Sequence, residues 1–399
     1  MPNPSSSVSP RSSARLLIWS VLLVLALLHA VAARANYADI VSAFETVRTS
    51  TVFPVAGKTF DDIEETFGPR AQPSLAGSYD WHRGIDIDGA GGENVVNVYA
   101  GVFEKIDYTE SAGNYVVIKH TLPNSVTYGT NPSKQNWTTF YTYYMHLTDA
   151  TVTHITDQGW TKGSNIAAGT VLGYLGATGG SGGEAYAPHL HFELRFGTSN
   201  PLSNQIAGDG LTATDAWFDP HMHPMLLFNP NDATLRGASL ASSYTQSLAA
   251  QAEGTVPDAL SLLYTSSLDE LALVNRFVVE VRPAGGGAAV LSHTLDFNQR
   301  TGFDASTNAL LDEQDTTKPY MVPLAFTDAQ TNYQSSIAIP HGWLGGYRND
   351  GSYEIVVTAS DVWENSTSLT VSAIPEPSTY AALAGALTLA CALHRRRRE

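Results

Sequence analysis

Pro188-His189-Leu190-His191-Phe192-Glu193-Leu194 is the stretch on which the reading of this chain turns. Apolar residues at 190, 192 and 194 alternate with polar ones at 189, 191 and 193, the two-residue period of a half-buried strand. Successive side chains of an extended chain point to opposite faces, so Leu190, Phe192 and Leu194 pack one side while both imidazoles face a common cavity. A second cluster lies upstream in His82-Arg83-Gly84-Ile85-Asp86. Ile85 and Ile87 alternate as in a strand, Gly84 permits a close approach, and the even spacing of His82 and Asp86 places both on one face of an extended chain. Neutral imidazole and carboxylate suit Zn²⁺, and a catalytic zinc keeps three protein ligands with one position open to water. His82, Asp86 and one histidine of the 189/191 pair supply three.

Composition narrows the chemistry further. The only cysteine, Cys391, lies close to the C-terminus, so the body has no disulfide, no thiolate nucleophile and no cysteine-based metal site. The chain has 399 residues, 43% of them hydrophobic, enough for two or three globular domains. Its 38 acidic and 22 basic side chains give a net charge of −16. Seven of the basic residues are the terminal Arg11, Arg15, Arg34 and Arg395 to Arg398, which leaves a strongly acidic body. Such a surface repels phosphate backbones and excludes nucleic acid as a partner.

Both ends read as addresses. Arg11 and Arg15 precede the apolar run Leu16 to Leu28, and Ala30-Val31-Ala32 or Ala33-Arg34-Ala35 follows as a small-residue cleavage site, so 1–35 is expected to be a secretory signal peptide. The apolar run would cover only about 20 Å of a bilayer core about 30 Å thick. At the other end, Ile374-Pro375-Glu376-Pro377-Ser378-Thr379 precedes the apolar Tyr380 to Leu393 and four arginines. This tail, 374–399, resembles the PEP-CTERM sorting signal of bacterial proteins processed by exosortases. The resemblance implies export through the inner membrane, cleavage near the Pro-Glu-Pro and delivery to the periplasm, cell surface or extracellular matrix.

Between the ends, 36–65 reads as a lead-in with a short helix over 37–47. Strands are expected over 95–100, 102–107, 115–120, 140–144, 170–175 and 189–196, bounded by Gly, Asn and Asp, which makes 66–236 a mainly antiparallel β domain. The polar, Ala/Ser/Gln-rich 237–253 reads as helix or linker. Strands over 277–281, 289–297, 320–326, 335–339, 353–360 and 366–371 then suggest a β-sandwich over 254–373. Its closing segment, 351–371, resembles the last hairpin of bacterial immunoglobulin-like domains.

Taken in order, Phe67-Gly68-Pro69-Arg70, His82 to Asp86, Gly113 to His120, Tyr144-Met145-His146-Leu147, Gly173 to Gly180 and His189 to Leu194 resemble the lysostaphin-type (LytM-like) zinc metallopeptidases. The resemblance spans about residues 66–232. It implies that His82, Asp86 and His191 are the zinc ligands and that His146 and His189 flank the water position as the catalytic pair. It also implies an endopeptidase acting on cross-bridge or stem peptides of peptidoglycan. A glycine-rich stretch before the HxH strand, 179–188, and a long run after it, 198–215, depart from the family pattern at positions that would shape a substrate groove. Two other readings compete: a non-catalytic envelope module that activates a cell-wall amidase, and a matrix-associated peptidase acting on non-wall proteins, its C-terminal domain contacting exopolysaccharide. No paired ligand pattern follows residue 237, so the second domain is expected to be dispensable for cleavage.

Several motifs are weaker. Gly179-Gly180-Ser181-Gly182-Gly183 matches a serine nucleophile elbow, which requires a strand before it and a helix after it, whereas Pro188 and a strand follow here. His221-Met222-His223 sits between Pro220 and Pro224 and reads as loop. Glu193 is in phase with the two histidines and has no obvious partner. His120 closes an apolar strand as a packed or supporting residue, and His154, His293 and His341 have no partner pattern.

Overall fold

The structure is a computed structural model that describes residues 37–71, 79–128, 135–181, 184–196, 221–237, 243–250, 259–268, 274–296, 303–304, 309–310, 324–326, 335–340 and 352–371. The proposed signal, the sorting tail, the 198–215 run and His341 lie outside them. Among the described residues no helix is long and apolar enough to cross a membrane.

One antiparallel sheet organises the first domain. Its strand order is Ile63–Glu65, Ile85–Asp88, His189–Phe196, Gln135–Leu147, Gly113–Tyr128, Gly101–Thr109 and Asn165–Ile166, with His221–Met222 added beside the far half of His189–Phe196. Register fixes the faces: His191 lies between Asp86 and Met145, and Phe192 between Ile85 and Tyr144. Ile85, Ile87, Leu190, Phe192, Leu194, Tyr144 and Phe140 therefore share one buried core. Asp86, His191 and Glu193 occupy the opposite face. Burial of the apolar set stabilises this register, because a slip by one residue would turn every imidazole inward.

Several boundaries differ from the sequence reading. The helix occupies 37–48, close to expectation, but 36–65 is no lead-in: Tyr37, Ile40, Phe44, Val47, Phe53, Val55, Phe60 and Ile63 all belong to the main core. Phe44 meets Phe140 edge-on at 5.2 Å, and Ile63–Glu65 extends the sheet. Residues 237–253 are not simply helix or linker, since Gln246–Ala250 is a strand paired with Ala259–Ser266. Only Leu248 of that strand is buried, so its composition looks helical while pairing across the sheet decides its conformation. His82 and Asp86 do not share a strand either. His82 ends Tyr79–His82, Asp86 lies in Ile85–Asp88, and Arg83-Gly84 turns between them.

The second domain contains two four-stranded antiparallel sheets. One runs Gln246–Ala250, Ala259–Ser266, Ser335–Pro340, Leu324–Phe326, and the other Leu291–Asp296, Val274–Pro283, Tyr353–Asp361, Ser366–Val371. Leu248, Leu262 and Tyr264 of the first share a core with Phe277, Val279, Val281, Ile355 and Val357 of the second. Ser181, the serine of the elbow-like motif, lies in the short pair Gly180–Ser181 and Glu184–Ala185 rather than before a helix.

Candidate metal centre

The face of the sheet opposite the core gathers all five residues expected at the site. His191 Nδ1 lies 2.7 Å from Asp86 Oδ1 and 3.0 Å from His82 Nε2, and His82 Nε2 lies 3.2 Å from Asp86 Oδ2. These three side chains form the group among the described residues able to hold a metal ion, with donor atoms within 4.8 Å of one another. Ligands at about 2.0 Å around a tetrahedral ion stand about 3.3 Å apart, so the set fits zinc in chemistry and in spacing.

His189 stands beside them, its Nε2 3.9 Å from Asp86 Oδ1, and the ring of His146 lies 4.7 Å from that of His189. His146 reaches this face by a backbone device. Alternation along Gln135–Leu147 sends Phe140 and Tyr144 into the core, and an unbroken strand would send residue 146 the same way. His146 instead has φ of 62°, a left-handed conformation costly for a non-glycine residue and held here by surrounding bonds. Its N–H donates to Ala112 O at 2.9 Å and its Nδ1–H to Thr178 O at 2.9 Å.

Carbonyl oxygens set the other imidazoles too. His82 Nδ1–H donates to Thr66 O at 2.8 Å, and His189 Nδ1–H to Ala187 O at 2.8 Å. A carbonyl can only accept, so His82, His189 and His146 each direct an Nε2 lone pair toward the site. His191 is oriented differently, by Glu193 Oε1 at 3.1 Å from its Nε2. Glu193 is bonded in turn by Arg195, with His221 Nε2 at 3.6 Å, and the Arg195 guanidinium lies 4.2 Å from the Tyr143 ring centre.

This buried cluster escaped the sequence reading, which gave Glu193 no partner and placed His221 in a loop. The signal was present: Arg195 continues the two-residue period of 189, 191 and 193. His221–Met222 is a strand paired with Leu194 and Arg195, and prolines are tolerated at the ends of such an edge segment. His223 is buried with its ring 5.3 Å from Phe67. His120 is buried, its Nδ1–H donating to Ala100 O at 3.1 Å and its ring stacked on Phe140, so it stands apart from the site. His154 Nε2 bonds Val171 O at 3.0 Å.

Charge follows from these contacts. Burial opposes ionisation of Asp86, yet His82 and His191 hold its carboxyl well below the usual range. Burial likewise opposes a charge on His191, but Asp86 and then Glu193 raise it to about 9. Burial, with His191 and His189 beside it, lowers His146 to about 4. Burial would raise Glu193, but Arg195, His221 and His191 hold it below the usual range.

In the metal-free chain His191 therefore keeps its proton at neutral pH. The stabilisation it brings is complete below its ordinary value of 6.5 and is lost as pH rises through about 9, whereas that of Asp86 is present above 3.8 and is lost as pH falls. A cation entering the site displaces the His191 proton. Zinc uptake at pH 7.5 should release about one proton, measurable by titration calorimetry in buffers of different ionisation heat. Uptake without proton release would mean that His191 is neutral before binding.

Fold and site together define a β protein with a His/Asp/His cation site flanked by two acceptor imidazoles. Residues 80–203 match the family model of Peptidase family M23. Over 135 residues it is 30% identical to "Peptidoglycan DD-endopeptidase ShyC" of Vibrio cholerae, covering 34% of this chain and 25% of that protein. It is 26% identical over 157 residues to an "Uncharacterized metalloprotease" of Haemophilus influenzae, covering 39% and 27%. The match thus spans about a quarter of the length of these relatives. Among solved structures, a zinc-containing peptidase from Vibrio cholerae aligns with 27% identity and a TM-score of 0.27, over 37% of each chain. The catalytic domain of lysostaphin from Staphylococcus simulans aligns with 18% identity and a TM-score of 0.24, over 35% of this chain and 86% of that one.

Proposed function

We propose that this protein is an exported zinc endopeptidase that hydrolyses the peptide cross-links or stem peptides of peptidoglycan. The observation that carries the proposal is the convergence of His82, Asp86 and His191 with two imidazoles whose Nε2 lone pairs face the same space. Zinc bound there supplies a Lewis acid for a peptide carbonyl and lowers the pKa of a coordinated water from 15.7 to about 7.

The chain's own residues do the rest. His146 and His189, each anchored through Nδ1–H, offer Nε2 to the proton of an attacking water. Once protonated, the same nitrogen donates to the oxygen on which charge develops or to the departing amine. Glu193 and Arg195 keep His191 in the rotation that turns its Nδ1 toward Asp86. Glycoside hydrolysis, by contrast, uses a carboxylate pair about 5 to 9.5 Å apart, and here both Asp86 and Glu193 are engaged by histidines.

The family match and the printed name of the Vibrio relative support the substrate class. The N-terminal signal-like run and the sorting-type tail support export, with processing by an exosortase-type enzyme and residence in the periplasm, on the surface or in the matrix. Residues 36–374 loaded with zinc and incubated with purified peptidoglycan should release fragments with new amino and carboxyl termini and no new reducing ends, identified by mass. New reducing sugars without new amines would overturn the reading.

A further inference from the structure

We propose that Trp363 docks the C-terminal β domain onto the peptidase domain, so that the two fold and melt as one unit, whatever bond the metal centre cleaves. The turn between strands Tyr353–Asp361 and Ser366–Val371 is a rigid hook. The Asp361 carboxylate accepts from Trp363 N, Asn365 N and Asn365 Nδ2, each at 2.9 Å. Its geometry is thus set before docking, which lowers the ordering cost of the contact.

The tip of the hook is buried in the other domain. Val362 and Trp363 belong to the core that holds Phe192 and Phe228, not to the core of the sheets from which they project. The indole Nε1–H donates to Met225 O at 3.1 Å and Phe228 O at 3.0 Å, and Val362 O accepts from Tyr37 OH at 2.8 Å. Both sides of the contact are therefore satisfied, and parting them would return these groups to water and expose the apolar surface of Val362 and Trp363. Met225 and Phe228 directly follow the strand His221–Met222, which pairs with the strand bearing His191. The hook thus closes the core behind the metal strand. A chain ending at 236 would leave Phe228 uncovered and these carbonyls without their indole partner, so on this proposal the second domain, though free of ligand patterns, still supports the first.

The test uses residues 36–374 with a protease recognition sequence inserted at 238–242. After cleavage the two halves should remain together in gel filtration, and the uncut chain should melt in a single transition. Trp363→Ala should let the cut halves separate and should lower the Tm of the uncut chain by about 5 °C. Trp363→Phe, which keeps much of the packing but loses both N–H bonds, should fall between the two. Cut halves of the parent chain that separate freely would overturn the proposal without recourse to any variant. So would Trp363→Ala halves that stay together with an unchanged Tm.

Discussion

His191→Ala should leave the protein without zinc and without hydrolysis, whereas His189→Ala should keep near-stoichiometric zinc and lose about 10²- to 10⁴-fold in kcat. The two residues are neighbours on one face of one strand, so sequence position alone cannot separate their roles. Geometry does. His191 Nδ1 lies 2.7 Å from Asp86 Oδ1 and 3.0 Å from His82 Nε2, within the donor cluster, while His189 Nε2 lies 3.9 Å from Asp86 and beside His146. Removing His191 also strips Asp86 of its nearest cationic partner and leaves Glu193 facing a void, so the remaining donors lose their arrangement. Metal analysis of both purified variants decides the matter. Zinc lost from His189→Ala and kept by His191→Ala would reverse the assignment.

Gly84→Ala should empty the site while altering no ligand. A Cβ at this position would overlap the Phe192 carbonyl oxygen and stand 2.9 Å from His191 Nε2. The first contact is with the backbone of a central strand, which cannot retreat without breaking its pairing with Ile85–Asp88. The second displaces the ring that Glu193 holds. Overpacking of this kind costs about 3 kcal/mol or more. Zinc content and thermal melting should both fall. A variant with full zinc and a Tm within about 2 °C of the parent would show that the turn between His82 and Asp86 can move away from His191 without loss of the site.

The strand 189–196 and its two-faced pattern were legible at once, because a two-residue period is local and the structure keeps it intact. The donor cluster was legible in part for a related reason, since HxH in a strand and HxxxD around a glycine stand out without tertiary knowledge, but which histidine of the pair joins His82 and Asp86 was given only by the resemblance. His146 was less so. Its place on the site face depends on a left-handed backbone that alternation would not suggest, and it entered through a resemblance rather than through its own spacing. The carbonyls of Thr66, Thr178 and Ala187 carry no signature in side-chain identity. The 37–65 segment was misplaced because helical periodicity reveals a buried face without saying which core will bury it. Trp363 was missed likewise: its anchoring partners lie 138 and 135 residues away in sequence.

The way the imidazoles are held bears on how such a centre survives drift in its own gene. Thr66, Thr178 and Ala187 act through main-chain oxygens, so the acceptor atom for His82, His146 or His189 belongs to no side chain, although the Thr178 hydroxyl also fixes its own segment through Leu147 O and Asn114 N. His191 alone depends on a side chain, Glu193, which rests in turn on Arg195. Three of the four histidines thus take their tautomer from the main chain, and one takes it from a side chain. An unmatched replacement at 193 or 195 should therefore reach His191 directly, whereas at the other three the anchor itself is not a side chain.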